Sequence, residues 1–303
     1  MSKSVENQGM NKVNVVGKLL DLTVRNGKAS DGREYESANM TLRVTQSYHG
    51  REETSEIPVS MFASKYTKAG GLNSGWTQLQ ELKTLKTAQE YGIDAAATVR
   101  VSAANLKENN FVSRSGQLIN SWQINTSFAG ATNAISPTAS FTMDIFIMDM
   151  KPEEDKDGDT TGRLIVKGAV VQYGATLDVF NFIVEQPDDV DYIERNWNVN
   201  DTVTIQGRIR ITATEEKNSG MHSSWGEDIP DTTVRTIREL IITKGDDQGK
   251  EEEFAYDAND IKKLFNARKA KIEQMQLDAQ NRAKSSTTTT ATAATTSSKY
   301  SWE

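Results

Sequence analysis

Residues 40–45 read Met40-Thr41-Leu42-Arg43-Val44-Thr45, and they alternate strictly between apolar and polar side chains. A period of two is typical of a β-strand with one face buried and the other in water. Residues 57–62 alternate in the same way, with Ile57, Val59 and Met61 on one face. The sequence therefore predicts two strands whose outward faces hold Arg43 and Phe62.

The elements around these two strands predict a small closed barrel. An apolar-rich strand over residues 13–24 comes first, and apolar residues at helical spacing over 76–91 end at Gly92. Two further strands are predicted at 99–103 and 118–124. Three strands, a helix and two strands is the order of an OB barrel. We expect this barrel to occupy residues 10–135.

The second part of the chain repeats this order. Strands are predicted at 141–150, 164–171 and 177–184, a short helix at 190–197, and strands at 203–211 and 234–242. An internal duplication explains the repeat, and independent alternation is the other explanation. The predicted fold class is all-β with short helices. Tandem OB barrels over 10–135 and 136–245 precede an amphipathic helix at 257–284 and a disordered Ser/Thr tail at 285–303.

Composition excludes several classes of protein. The chain of 303 residues has no cysteine, which excludes a disulfide framework, thiol catalysis and cysteine-based zinc sites. The acidic run Asp155, Asp157 and Asp159 lacks the ligand order of a calcium loop. Catalytic pairs and phosphate loops are also missing, so we predict no enzyme and no cofactor. Without an apolar leader or membrane span, a cytoplasmic protein without membrane contact is expected.

The net charge of −7 is distributed unevenly along the chain. Residues 1–135 hold 15 basic and 12 acidic side chains, whereas residues 136–245 hold 11 and 20. A polyanion is therefore expected to bind the first segment rather than the second.

The first segment resembles the bacterial single-stranded DNA-binding protein family. The resemblance rests on four stretches in order: Asn11 to Leu19 with Gly17, Asn39 to Leu42, Pro58 to Phe62 followed by Lys65, and Phe111 followed by Ser115-Gly116-Gln117. It implies an OB fold that binds single-stranded DNA without sequence preference in replication, recombination or repair. Aromatic rings would stack on bases, and cations would follow the phosphates.

The resemblance implies which aromatics bind, and the basic residues on or near the same strands and loops are the candidates for phosphate contacts. Base-stacking rings are expected at Tyr48, Phe62 and Phe111, while Glu56 stands where the family has a further aromatic. Trp76 and Trp122 are expected in the core. The cations expected at phosphates are Arg43, Arg51, Lys12, Lys18, Arg25, Arg33, Lys65, Lys107 and Arg114.

The second segment offers only auxiliary DNA contacts. Tyr173, Phe180, Phe182 and Trp225 are candidates for a second platform, and Arg208 and Arg210 are predicted to face outward. The acidic runs at 153–159 and 187–191 would repel phosphate. A scaffold or protein-contact role is therefore favoured for this domain.

The C-terminal region suggests a partner. Ile261, Leu264 and Phe265 begin an apolar stripe that must bury against barrel two or another protein. The resemblance implies that Tyr300 and Trp302 dock replication and recombination proteins, and that two chains pair as a homodimer. The duplication and the tail favour a phage or mobile-element protein. A protein-interaction or virion-assembly module built on OB barrels is the alternative function, and RNA remains open as the ligand.

Overall fold

The computed structural model describes residues 2–113, 115–134, 136–217 and 232–291, with side chains given outside 214–217, 232–234 and 283–291. Long strands dominate it, as the period-two alternation predicts. The strands are β1 Asn11–Lys28, β2 Glu34–Tyr48, β3 Arg51–Ser64, β4 Thr98–Glu108, β5 Phe111–Val112, β6 Leu118–Ile119, β7 Trp122–Thr126, β8 Phe128–Ala131, β9 Thr138–Glu154, β10 Thr160–Gln172, β11 Thr176–Val184, β12 Thr202–Lys217 and β13 Thr232–Gly245. The helices are α1 Ser74–Leu82, α2 Ala88–Tyr91, α3 Pro187–Asn196 and α4 Ala258–Ala291.

The first set of strands closes into a barrel, which we call barrel one. β1 pairs antiparallel with β2, β2 with β3, β7 with β4 and β4 with β1, while β3 and β7 run parallel. This is the five-stranded connectivity of an OB fold. Gly17 lies where β1 crosses β2, and a Cβ there would meet the Arg43 carbonyl oxygen at 2.6 Å.

The second set of strands repeats this connectivity and forms barrel two. β9 pairs with β10, β10 with β11, β13 with β12 and β12 with β9, while β11 and β13 run parallel. Phe180 and Phe182 are buried in its core, so the interpretation of these two rings as a stacking platform is wrong. The predicted fold class of tandem OB barrels is confirmed.

Some predicted elements have different boundaries. The helix predicted over 76–91 is two helices, because the chain turns after Leu82 and the Thr87 hydroxyl caps α2 by accepting from the Glu90 N–H. The strand predicted at 118–124 is divided into β6 and β7. Helix α4 continues to Ala291, seven residues past its predicted end, while 292–303 lie outside the described residues.

The two barrels join through their first strands. β1 and β9 pair antiparallel from Asn11 opposite Met143 to Val16 opposite Thr138. The hairpin between the second and third strands of each barrel then packs on the other barrel. The Gln172 amide donates to the Leu106 carbonyl at 3.2 Å, and the Ile211 N–H donates to the Ser55 hydroxyl at 3.0 Å.

Helix α4 packs on barrel two. Its residues Ile261, Leu264 and Phe265 contact the outward side chains of β10 and β11, and Tyr256 joins them from the preceding segment. We call this surface, which comprises Ala169, Val171, Leu177 and Val179, the barrel-two face. The apolar stripe of the helix is thus buried against barrel two, one of the two predicted outcomes.

Candidate nucleic-acid interface

The outward side chains of β2 and β3 form what we call the barrel-one face. Strand register places Ser37 opposite Phe62, Asn39 opposite Ser60, Thr41 opposite Pro58 and Arg43 opposite Glu56. The corresponding surface of OB folds, together with neighbouring loops, is where oligonucleotides bind. Hydroxyl and amide groups dominate the middle of the face, and the Ser60 hydroxyl donates to Asn39 at 2.9 Å.

An aromatic pair lies at one end of this face. Phe62 is 55% exposed, and its ring centroid is 5.1 Å from that of Tyr35, with 36° between the ring planes. The Tyr35 ring lies over Gly27, where a Cβ would come within 2.3 Å of it. Exposure of Phe62 was predicted from its position opposite the buried row, whereas Tyr35 was not predicted. The alternation from Tyr35 to Arg43 was the signal that could have found it.

A groove lies at the other end of the face, between the two barrels. We call it the hairpin groove, because the β12–β13 hairpin of barrel two forms one wall and the barrel-one face forms the other. Its volume is about 580 Å³. The lining residues are Thr41, Arg43, Thr54, Glu56 and Pro58 of barrel one and Ile211, Ala213, Thr236 and Arg238 of barrel two. Arg43 donates to Glu56 at 2.8 Å across the groove floor.

A second groove of about 360 Å³ runs beside Phe62. Polar side chains line most of it, with Asn39 and Ser60 on one side and Asn105 and Asn125 on the other. Amides and hydroxyls of this kind hydrogen-bond to bases, sugars and phosphates.

Three predicted cations lie at or near the aromatic pair. Arg25 on β1 is exposed and lies opposite Ser37, in the same cross-strand row as Phe62. Arg33 pairs with Asp31 in the β1–β2 turn, and Lys65 follows β3 and donates to Glu34 at 2.7 Å. That hydrogen bond raises the pKa of Lys65.

Tyr48 and Arg51 lie apart from this cluster. They face each other at the tip of the β2–β3 hairpin, which packs on barrel two. The guanidinium of Arg208 lies 4.0 Å from the ring centroid of Tyr48 and covers one side of the ring. Burial raises the pKa of the Tyr48 hydroxyl. A base can stack on the covered side of Tyr48 only if Arg208 moves.

Arg208 and Arg210 belong to a network of ion pairs between the barrels. Arg208 is 6% exposed and pairs with Glu53 of barrel one and, at 2.6 Å, with Glu185. Arg210 pairs with Glu185 and, at 2.6 Å, with Glu239. The prediction that these arginines face solvent is wrong, because carboxylates from three other strands or loops close over them.

The remaining predicted residues are dispersed or outside the described part. Lys18 donates to the Ala96 carbonyl at 2.8 Å, whereas Lys12 and Lys107 are exposed away from the barrel-one face. Phe111 is 48% exposed on β5, and Tyr173 is 86% exposed at the tip of the β10–β11 hairpin. Trp76 and Trp122 are partly buried against the core, as predicted. The residues outside the described part are Arg114, Trp225, Tyr300 and Trp302.

Groups of three or more His, Asp or Glu side chains arranged to hold a metal ion are absent from the described ranges. Among the helices of the same ranges, none has the length and apolarity needed to cross a membrane.

Comparisons with known proteins give the following likenesses. The wild-type single-stranded DNA-binding protein of Thermus aquaticus has a TM-score of 0.48 and 11% identity, covering 84% of this chain and 98% of that one. A deletion mutant of that protein has a TM-score of 0.47 and 11% identity, covering 82% and 97%. No curated protein matches the sequence. A family model described as YorF matches residues 9–278, and this chain therefore belongs to the YorF family.

Proposed function

We propose that this protein binds single-stranded DNA without sequence preference on the barrel-one face, in replication, recombination or repair. The observation that carries the proposal is a difference between the two barrels. The barrel-one face is polar and exposes Phe62, whereas the barrel-two face, next to the tip of the β10–β11 hairpin, is apolar and lies under α4. The barrel-one face is therefore the uncovered OB face to which a nucleic acid strand can bind.

The chemistry of that face suits a single strand. Every base has a flat π-face, so an exposed aromatic ring binds it whatever the sequence. Phe62 and Tyr35 provide such rings, and Arg25 lies in the same row for a neighbouring phosphate. Serine, threonine and asparagine side chains hydrogen-bond to the backbone between these points.

Barrel two is proposed to act as a scaffold rather than a second DNA-binding barrel. Its core continues into barrel one through the β1–β9 pairing, and its binding face is filled by α4. Arg208 and Arg210, the cations of this barrel expected to contact DNA, also form ion pairs with Glu185 and Glu239.

The test is a fluorescence titration of the full chain with poly(dT) at several salt concentrations. Wild-type protein is expected to bind, with affinity that falls as salt rises because phosphate binding releases counterions. Phe62→Ala is expected to weaken binding by about 5- to 150-fold, since one base–ring stack contributes roughly 1–3 kcal/mol.

Phe254 provides a matched control. It is 56% exposed, almost the same as Phe62, but it lies in the segment before α4. Phe254→Ala is expected to bind poly(dT) like the wild type. Absence of salt-sensitive binding by the wild-type protein would refute the proposal, and poly(U) in parallel would show whether RNA is preferred.

A further inference from the structure

Arg238 on β13 is a partly buried cation without a carboxylate partner among the described residues. Its guanidinium lies 4.1 Å from the ring centroid of Trp122, and one Nη donates to the Ser121 hydroxyl at 3.1 Å. Both of these partners are neutral and belong to barrel one. Burial lowers the pKa of Arg238. This arrangement contrasts with Arg208 and Arg210 on the paired strand, which form ion pairs with Glu185 and Glu239.

Two arginines line the hairpin groove, and they differ in their partners. Arg43 pairs with Glu56 at 2.8 Å, whereas Arg238 contacts the neutral Trp122 and Ser121. Within the described part of the chain, the groove therefore holds one positive charge, that of Arg238, without a paired carboxylate.

The groove has the size and position for part of a polynucleotide. Its volume of about 580 Å³ lies within the range of roughly 300–1,000 Å³ that is usual for ligand sites. It continues the barrel-one face from the end opposite Phe62. Phe62 and Glu56 are separated along β3 by about 20 Å, at roughly 3.3 Å per residue. A strand stacked on Phe62 and following β3 would therefore enter the groove.

We propose that Arg238 of barrel two binds a phosphate of the same strand whose bases lie on the barrel-one face. The inference rests on the proposed function and extends it, because the site then requires both barrels of one chain. The planar guanidinium, which lies 4.1 Å from the ring centroid of Trp122, offers paired N–H donors that match phosphate oxygens. Barrel two thus contributes through its β12–β13 hairpin although its own OB face is covered.

The test compares Arg238→Gln and Arg238→Lys with wild type in poly(dT) titrations of the full chain over a salt series. Glutamine keeps a planar amide for Trp122 and Ser121 but removes the charge, so the variant is expected to fold. Losing one phosphate contact lowers the slope of log affinity against log salt by about 0.7 for a single strand. We expect that change in Arg238→Gln with about tenfold weaker binding, and a wild-type slope in Arg238→Lys.

Arg235→Ala is the charge-matched control. Arg235 is exposed beside Thr236, and strand alternation places it on the face of the hairpin opposite the groove. The slope of this variant is expected to equal that of wild type. If wild type binds and Arg238→Gln keeps the wild-type slope and affinity, this inference fails while the proposed function stands. If wild type binds no poly(dT), both fail.

Discussion

Replacing Asp178 by asparagine is expected to stabilise the protein at neutral pH. Asp178 lies on β11 at the junction of the barrels, where the Gln172 amide donates to it at 2.9 Å. Burial, followed by the nearby Glu108 carboxylate, raises the pKa of Asp178 from 3.8 to about 6. This rise in pKa means that the charged carboxylate lowers the free energy of unfolding at pH 7 by at most about 3 kcal/mol.

The sign of the pH dependence follows from this raised pKa. Between pH 4 and 6 the native state holds a proton that the unfolded state has lost, so the free energy of unfolding falls as pH rises through that window. The amide of an asparagine at this position would carry no charge at any pH. Allowing about 1 kcal/mol for a weaker hydrogen bond from Gln172, we expect Asp178→Asn to gain about 2 kcal/mol at pH 7 and little at pH 4.

Urea unfolding followed by far-UV circular dichroism at pH 4, 5, 6 and 7 measures the difference. Asp149→Asn serves as the control, because Asp149 is exposed on β9 and its removal should leave the pH dependence unchanged. The reasoning is refuted if the Asp178→Asn curve parallels that of wild type from pH 4 to 7.

Two further predictions concern buried charges at the barrel junction. Burial opposes ionisation of Asp144, but hydrogen bonds from Lys250, the Met10 N–H and Thr204 outweigh it and lower its pKa to about 2. Asp144→Asn should therefore lose about 2 kcal/mol of stability at pH 7 and progressively less below pH 4, as measured by the same urea series; an equal loss at pH 2 would contradict this. Arg208→Ala should destabilise the chain by about 3 kcal/mol, the lower end of the range for breaking a buried ion pair, because Glu53 and Glu185 would keep only Arg210 as a partner. Its poly(dT) affinity in the folded range should match wild type, whereas weaker binding with unchanged stability would make Arg208 a DNA contact.

The strands could be predicted from sequence because their signal is local. Alternation over Met40 to Thr45 and Ile57 to Phe62 identifies the buried row within a single strand, and the element order then indicates an OB barrel. The same alternation correctly predicted that the side chain of Phe62 is exposed. Tyr35 was missed although the alternation from Tyr35 to Arg43 places it in the same outward row, whereas its contact with Gly27 follows only from the strand register.

The burial and the contacts of Tyr48, Arg208 and Arg210 could not be predicted in this way. Alternation along β12 gives the two arginines a shared face, but it does not say what lies on that face. Glu53 comes from barrel one and reaches the arginines only because the β2–β3 hairpin docks there, whereas Glu185 and Glu239 come from other elements of barrel two. Contacts between separate elements therefore decide where these side chains lie, and no local pattern encodes such contacts.

The two OB faces cannot exchange roles, for a reason visible in their outward rows. Asn39, Thr41 and Ser60 can remain in water, whereas Val171 and Leu177 on the outward side of β10 and β11 would form an exposed apolar patch without α4. Displacing α4 would therefore expose a surface poorly suited to phosphate rather than a second DNA-binding face. Barrel two can reach a strand on barrel one through the hairpin that carries Arg238, because that hairpin already forms a wall of the groove.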